Sequence, residues 1–167
     1  MAAGATYEPI ATTTLSSAAA SITFSSIPAT YTDLRLVLTA TSSTAGADVQ
    51  IQFNGTTTAY SHTYMYGSGS AAASGQVTGA TYIYLDYLVG LSTTIPSLYE
   101  VDIFSYAGST FKTLLNRTAE DRNGSGEVLA SVGLWRNTAA ITSIYLFLSA
   151  YNFATGTIAT LYGIKAA

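Results

Sequence analysis

Three features of this 167-residue sequence predict an all-β fold, an antiparallel β-sandwich that is jelly-roll-like with about 8–10 strands. Apolar and polar residues alternate with period two through most of the chain, whereas the spacing of an amphipathic helix is hard to find. Turn-forming stretches rich in Gly, Ser, Asn and Thr interrupt the alternation roughly every 8 to 12 residues. The prolines, Pro9, Pro28 and Pro96, fall outside the alternating runs, where a missing backbone donor would break a ladder.

Taken from the N-terminus, residues 1–20 read as an N-terminal arm or first strand and residues 21–167 as a single sandwich domain. In SSAAAS (Ser16–Ser21) the serines and flanking β-branched residues favour a loop or edge over a helix. SITF (Ser21–Phe24) is the first short strand. DLRLVLTA (Asp33–Ala40) sets Leu34, Leu36 and Leu38 on one face and Arg35, Val37 and Thr39 on the other. DVQIQF alternates Asp48, Gln50 and Gln52 with Val49, Ile51 and Phe53. HTYMY (His62–Tyr66), TYIYLDYL (Thr81–Leu88), LYEVDIF (Leu98–Phe104) and TFKTLLN (Thr110–Asn116) follow as strands. EVLASVGLW (Glu127–Trp135), ITSIYLFL (Ile141–Leu148) and TIATLYGI (Thr157–Ile164) complete the set. NGTTT, GSGSAAASG, EDRNGSG and NFATGT are among the breaks between them.

Composition narrows the function. Charged residues make up 9% of the chain and hydrophobic residues 49%, against about 25% charged in an average soluble domain. A surface so poor in charge is expected to self-associate, with partners covering part of it. The net charge is −3 and the six basic residues, Arg35, Lys112, Arg117, Arg122, Arg136 and Lys165, are scattered. They form no stripe for phosphates, so nucleic-acid binding is not expected. The absence of cysteine excludes disulfides and thiolate metal sites. No secretory signal is expected in MAAGATYEPI. The uncharged stretch 137–164 is interrupted by Asn152, Thr155, Gly156 and Thr157, so membrane insertion is not expected either.

Motifs that suggest chemistry are weak. Ser109 and Lys112 have Ser-x-x-Lys spacing, which serves acyl transfer only when both residues share a helical turn. In a strand they point to opposite faces, so a turn serine and a solvated lysine are expected. Glu100 and Asp102 share a strand face, as a glycosidase pair would, but two acids on a solvated face are commoner. His62 is the only histidine, too little for a catalytic base network or a zinc site. The run Asn116–Glu127 reads as an exposed loop with internal ion pairs, and Glu120, Asp121 and Asn123 lack the regular spacing of a calcium loop. No enzyme and no cofactor is therefore expected. Asp86, inside an apolar run, needs a partner, which an arginine, a tyrosine hydroxyl or a neighbouring subunit can supply. Tyr60, His62, Tyr64 and Tyr66, beside a Gly/Ser turn, are candidate receptor contacts, because tyrosine offers a large contact area at low entropy cost.

Several phrases stand in order along the chain: TYEPIATTTL, FSSIPATYTDLRLVL, FNG followed by YSHTYMYGSGS, VGLWRNTAAITSIYLF, and NFATGT before LYGIKAA. From about Tyr7 to Ala167 the chain resembles a family of short virion proteins of tailed bacteriophages, including cyanophages. The resemblance implies a β-sandwich subunit displayed on the particle, without catalysis and homotrimeric. It implies a tail-fibre or receptor-binding appendage, with a capsid decoration protein as the alternative and a carbohydrate-binding or carbohydrate-active domain as a further one. Partners would be sister copies, other tail or capsid proteins, and a host surface glycan or protein. Localisation would be the virion, tail or capsid surface, after assembly in the host cytoplasm. In a three-fold assembly Asp86 and Arg136 are candidate intersubunit polar contacts.

Overall fold

The computed structural model describes residues 6–165, which form twelve strands and, among these residues, no helix. The strands are β1 (Tyr7–Thr14), β2 (Ser21–Phe24), β3 (Asp33–Ala40), β4 (Val49–Phe53), β5 (Tyr60–Gly67) and β6 (Ala72–Ala80). They continue with β7 (Ile83–Tyr84), β8 (Ser97–Phe104), β9 (Lys112–Glu120), β10 (Glu127–Trp135), β11 (Ile144–Leu148) and β12 (Ile158–Ile164). All pair antiparallel, in an eight-stranded sheet ordered β1-β12-β3-β8-β9-β10-β5-β6 and a four-stranded sheet ordered β2-β11-β4-β7.

Nesting explains this order. β1 pairs with β12, β2 with β11, β3 with β8 and β4 with β7, so the chain is a two-stranded ribbon closed from both ends and wound alternately through the two sheets. This is the jelly-roll arrangement. The hairpins β5–β6 and β9–β10 are insertions in the ribbon, and both extend the large sheet beyond β8. Between the sheets, alternation delivers Leu34, Leu36 and Leu38 from β3, Val49, Ile51 and Phe53 from β4, and Ile144 and Leu146 from β11 to one core. Burying each such side chain contributes about 1.5–3 kcal/mol.

The β4–β5 connection begins with the turn Phe53-Asn54-Gly55-Thr56, where Asn54 (φ 51°) and Gly55 (φ 66°) are both left-handed. Thr56 N–H closes it on Phe53 O at 3.0 Å. Asn-Gly is suited to such a turn because neither residue resists positive φ strongly.

Several elements differ from the sequence reading. Of the two readings of residues 1–20, an arm or a first strand, Tyr7–Thr14 takes the second, while residues 1–5 lie outside the described residues. Pro9 sits inside β1 because β1 is an edge strand and its register shifts between Pro9 and Ala11. The small-residue stretch expected to be a break supplies the first residues of β6, from Ala72 to Gly75, in another edge strand. Of TYIYLDYL only Ile83–Tyr84 is strand, since the segment crosses the end of the small sheet and turns away. The charged run is a loop only between Glu120 and Glu127, which end β9 and begin β10.

β1 and the residues after β12 are tied together through Glu8. Lys165 Nζ donates to Glu8 at 2.7 Å, and Tyr31 Oη donates to the other Glu8 oxygen at 3.3 Å. The Tyr31 ring lies flat across Gly163, where an added Cβ would fall well inside contact distance of three ring carbons. Gly163→Ala is expected to displace Tyr31 and to cost about 1–3 kcal/mol. Thermal unfolding checks this, at about 2–4 °C of Tm per kcal/mol for a chain of this size.

Candidate functional site

The residues that suggested catalysis are engaged elsewhere. Ser109 is exposed, but Lys112 is buried, and its Nζ donates to the carbonyls of Gly108 (2.6 Å) and Thr110 (2.5 Å). The lysine is thus a tie between loops, not the solvated side chain expected from sequence. Burial lowers its pKa. Asp102 is clamped by Arg35 at 2.5 and 2.9 Å and meets Arg117 at 3.3 Å, while Glu100 pairs with Arg117 at 3.2 Å. Among the described residues no group of three His, Cys, Asp or Glu side chains is arranged to hold a metal ion.

Asp86 is fully buried and its partners are in its own chain, so it is not an intersubunit contact. Its carboxyl accepts Val49 N–H at 2.9 Å and bonds to Tyr99 Oη at 2.5 Å. Around it, residues 85–89 run as a strap over the inner face of the overhanging sheet. Asn116 Nδ2 donates to Leu85 O at 2.8 Å, the Thr118 hydroxyl donates to the same oxygen, and Glu127 accepts Leu88 N–H at 3.1 Å. These side chains satisfy backbone groups that no strand pairs, which an irregular buried segment requires. Burial raises the Asp86 pKa well above the ordinary aspartate value, against the lowering effect of Tyr99.

An aromatic belt continues from this strap. Tyr64 lies 4.1 Å from Tyr87 between ring centroids and stacks near Tyr66 at 6.3 Å. Tyr87 meets Tyr84 edge-on at 6.0 Å, and Tyr84 meets Tyr82 edge-on at 5.0 Å. Tyr82 then reaches Phe147 at 5.8 Å, which stacks on Tyr145 at 5.0 Å. Of the four residues expected to contact a receptor, Tyr66 is half-buried in this belt. Tyr64 is largely covered, and burial pushes its pKa up to about 12. His62 lies beneath, only 3% exposed, with both ring nitrogens unpartnered and its pKa lowered by burial. Tyr60 leaves the set: it is fully buried between Phe53 and Trp135, and its hydroxyl accepts Phe53 N–H at 2.8 Å. Sequence reading missed Tyr82, Tyr84, Tyr145 and Phe147, although both pairs occupy alternate positions of apolar runs and so share a face.

On the opposite side, the outer face of the large sheet is apolar and uncovered. Adjacent rows are Leu98, Ala119, Val128 and Gly67, then Glu100, Arg117, Ala130, Met65 and Ser74, then Arg35, Asp102, Leu115, Val132 and Thr63. Val128 is 68% and Met65 63% exposed. Arg136 is exposed near this face, its Nη1 donating to Ser61 at 3.2 Å, with no ion pair among the described residues.

The chain matches no known protein family, no characterised protein and no solved structure in these comparisons.

A carboxyl whose pKa is raised on folding keeps its proton in the native state where the unfolded chain has lost it. Stability from Asp86 is then greatest below about pH 3.9 and declines as pH rises toward its folded pKa. Asp86→Asn preserves an acceptor for Val49 and a partner for Tyr99. Its urea midpoint is expected to fall less than that of wild type between pH 5 and pH 8, the difference isolating Asp86 from Asp48 and Glu127, whose pKa values burial also raises.

Proposed function

We propose that this chain is a non-enzymatic structural subunit of a tailed-phage virion, assembling as a homotrimer into a tail-fibre or receptor-binding appendage. The observation that carries self-assembly is the uncovered outer face of β8, β9, β10 and β5. Exposed Leu98, Leu115, Val128, Val132 and Met65 form a broad sheet surface, of the kind that marks interaction sites. The charges in the middle of its rows, Arg35, Asp102, Arg117 and Glu100, are two cations and two anions already paired with one another, while Arg136 lies at the margin. A partner closing over that island would cover ions that are already paired, the condition under which burial of ions is tolerated. Obligate interfaces of this composition resemble a domain core cut in half.

The virion setting and the three-fold symmetry come from the sequence resemblance, with which the jelly-roll architecture agrees. Absence of catalysis is supported by the ion-paired state of Glu100 and Asp102 and by Lys112 being tied to carbonyls. The capsid-decoration alternative draws on an N-terminal arm, and Tyr7–Thr14 is instead laid along β12. Assembly in the host cytoplasm followed by display at the tail fits this reading.

Val132→Asp and Leu115→Asp place a carboxylate on the proposed interface without disturbing the core. Light scattering is expected to give about three times the 17.4 kDa chain mass for wild type and the single-chain mass for either variant, with unchanged far-UV spectra. A single-chain mass for wild type contradicts assembly. On purified particles, antibody label at the tail with few copies supports an appendage, whereas hundreds of copies on the head support decoration.

A further inference from the structure

The small sheet is unusual in carrying no charged residue in any of its four strands, SITF, VQIQF, IY and IYLFL. Its outer face is nevertheless not inert. Tyr145 and Phe147 stand side by side on β11, and Tyr82 meets both Phe147 and Tyr84 edge-on. All four rings are half-buried, fixed by one another yet open on one side.

Between them lies Gln50. On β4 it is paired across the ladder with Phe147 on one side and Tyr84 on the other, and its neighbours Val49 and Ile51 point into the core. Gln50 is 2% exposed, and no hydrogen bond reaches its amide among the described residues. Gln52, two residues along the same face, is by contrast committed to the carbonyl of Thr81 at 2.9 Å. The polar atoms of the Gln50 amide are not among the sealed, unpartnered ones, so that amide makes no bond within the described residues and stays within reach of a partner from outside. Beside it the hydroxyls of Tyr82 and Tyr84 are 3.1 Å apart, so one donates to the other and a second hydrogen is left free.

We infer that this face, centred on Gln50 between Phe147 and Tyr84, is a binding site for a neutral saccharide. Ring faces match the C–H faces of a pyranose, and the amide and hydroxyls match its hydroxyls, which both donate and accept. The absence of lysine and arginine gives an anionic ligand no counter-charge. The one nearby carboxylate, Asp48, lies at the margin, partly buried. A polyproline segment is the competing occupant of an aromatic surface. It offers carbonyl acceptors only and would leave the Gln50 carbonyl unpaired, so the saccharide fits better. The inference rests on the proposed function in one respect: the small sheet is the face that assembly leaves open.

The test titrates the full chain with maltohexaose, cellohexaose, mannohexaose and decaproline by calorimetry. At least one oligosaccharide is expected to bind. Gln50→Met, which keeps the apolar stem and removes the amide, and Tyr145→Ala, a half-exposed ring on a different strand, are each expected to weaken it about tenfold or more. Val128→Ser on the other sheet is expected to bind as wild type. The inference is overturned if no oligosaccharide binds, if binding survives both substitutions, or if decaproline binds in place of sugar. Light scattering on the same samples separates the two readings. A single-chain species that binds sugar rejects assembly alone, and a trimer that binds none rejects the saccharide site alone.

Discussion

The structure is governed by a mismatch of width. Eight strands at about 4.8 Å spacing span roughly 34 Å, while four span roughly 14 Å, so the small sheet cannot cover the large one. Much of β9, β10, β5 and β6 therefore extends past the small sheet, although Leu114, Trp135 and Tyr60 at their near ends still join the core. The inner face of that overhang must be sealed by something other than a strand, and its outer face has nothing among the described residues to cover it. Both consequences are visible in the side chains.

On the inner face the seal is a strap of irregular backbone held by polar side chains. Asn116, Thr118 and Glu127 point inward from the sheet to bond residues 85–89, and Asp86 turns back to Tyr99 and Val49. These groups give up hydration, and the network recovers it only because each strap bond is made within the chain. From the strap the aromatic rings run onto the small sheet, giving the molecule one surface of tyrosines and phenylalanine with Asp48 at its margin. On the outer face the same alternation that buries Leu114 and Leu129 leaves Leu115 and Val128 in solvent. The two sides are thus chemically distinct: one suited to apolar burial by a sister chain, the other to a polar ligand with apolar faces.

Much of this was legible in the sequence. Period-two alternation located the jelly-roll strands of the core, because a strand buried on one face must alternate. It underestimated β6, whose Ala, Ser and Gly residues carry no hydrophobic signal since neither face of that edge strand is deeply covered. It overextended TYIYLDYL, where the apolar residues serve a strap whose course depends on distant partners such as Asn116. Asp86 was recognisable as a carboxyl in need of a partner, and the tyrosine hydroxyl is the one that supplies it. Arg136 carries no such requirement, being exposed. Tyr60 was grouped with His62, Tyr64 and Tyr66 by shared parity, yet the strand passes from the core at Tyr60 to the overhang at Tyr66, and parity does not register depth. The pairing of Gln50 with Phe147 and Tyr84 arises only from the ladder between β4, β7 and β11.

The division into a covered and an open side is tested most directly by hydroxyl-radical footprinting of the assembled protein, read residue by residue. Met65 and Val128 are expected to be protected at concentrations where the protein self-associates and to become reactive on dilution, while Tyr87 and Tyr145 react equally in both. Rapid modification of Met65 in the concentrated protein, at the rate of a free methionine side chain, would show that no sister chain covers the large sheet.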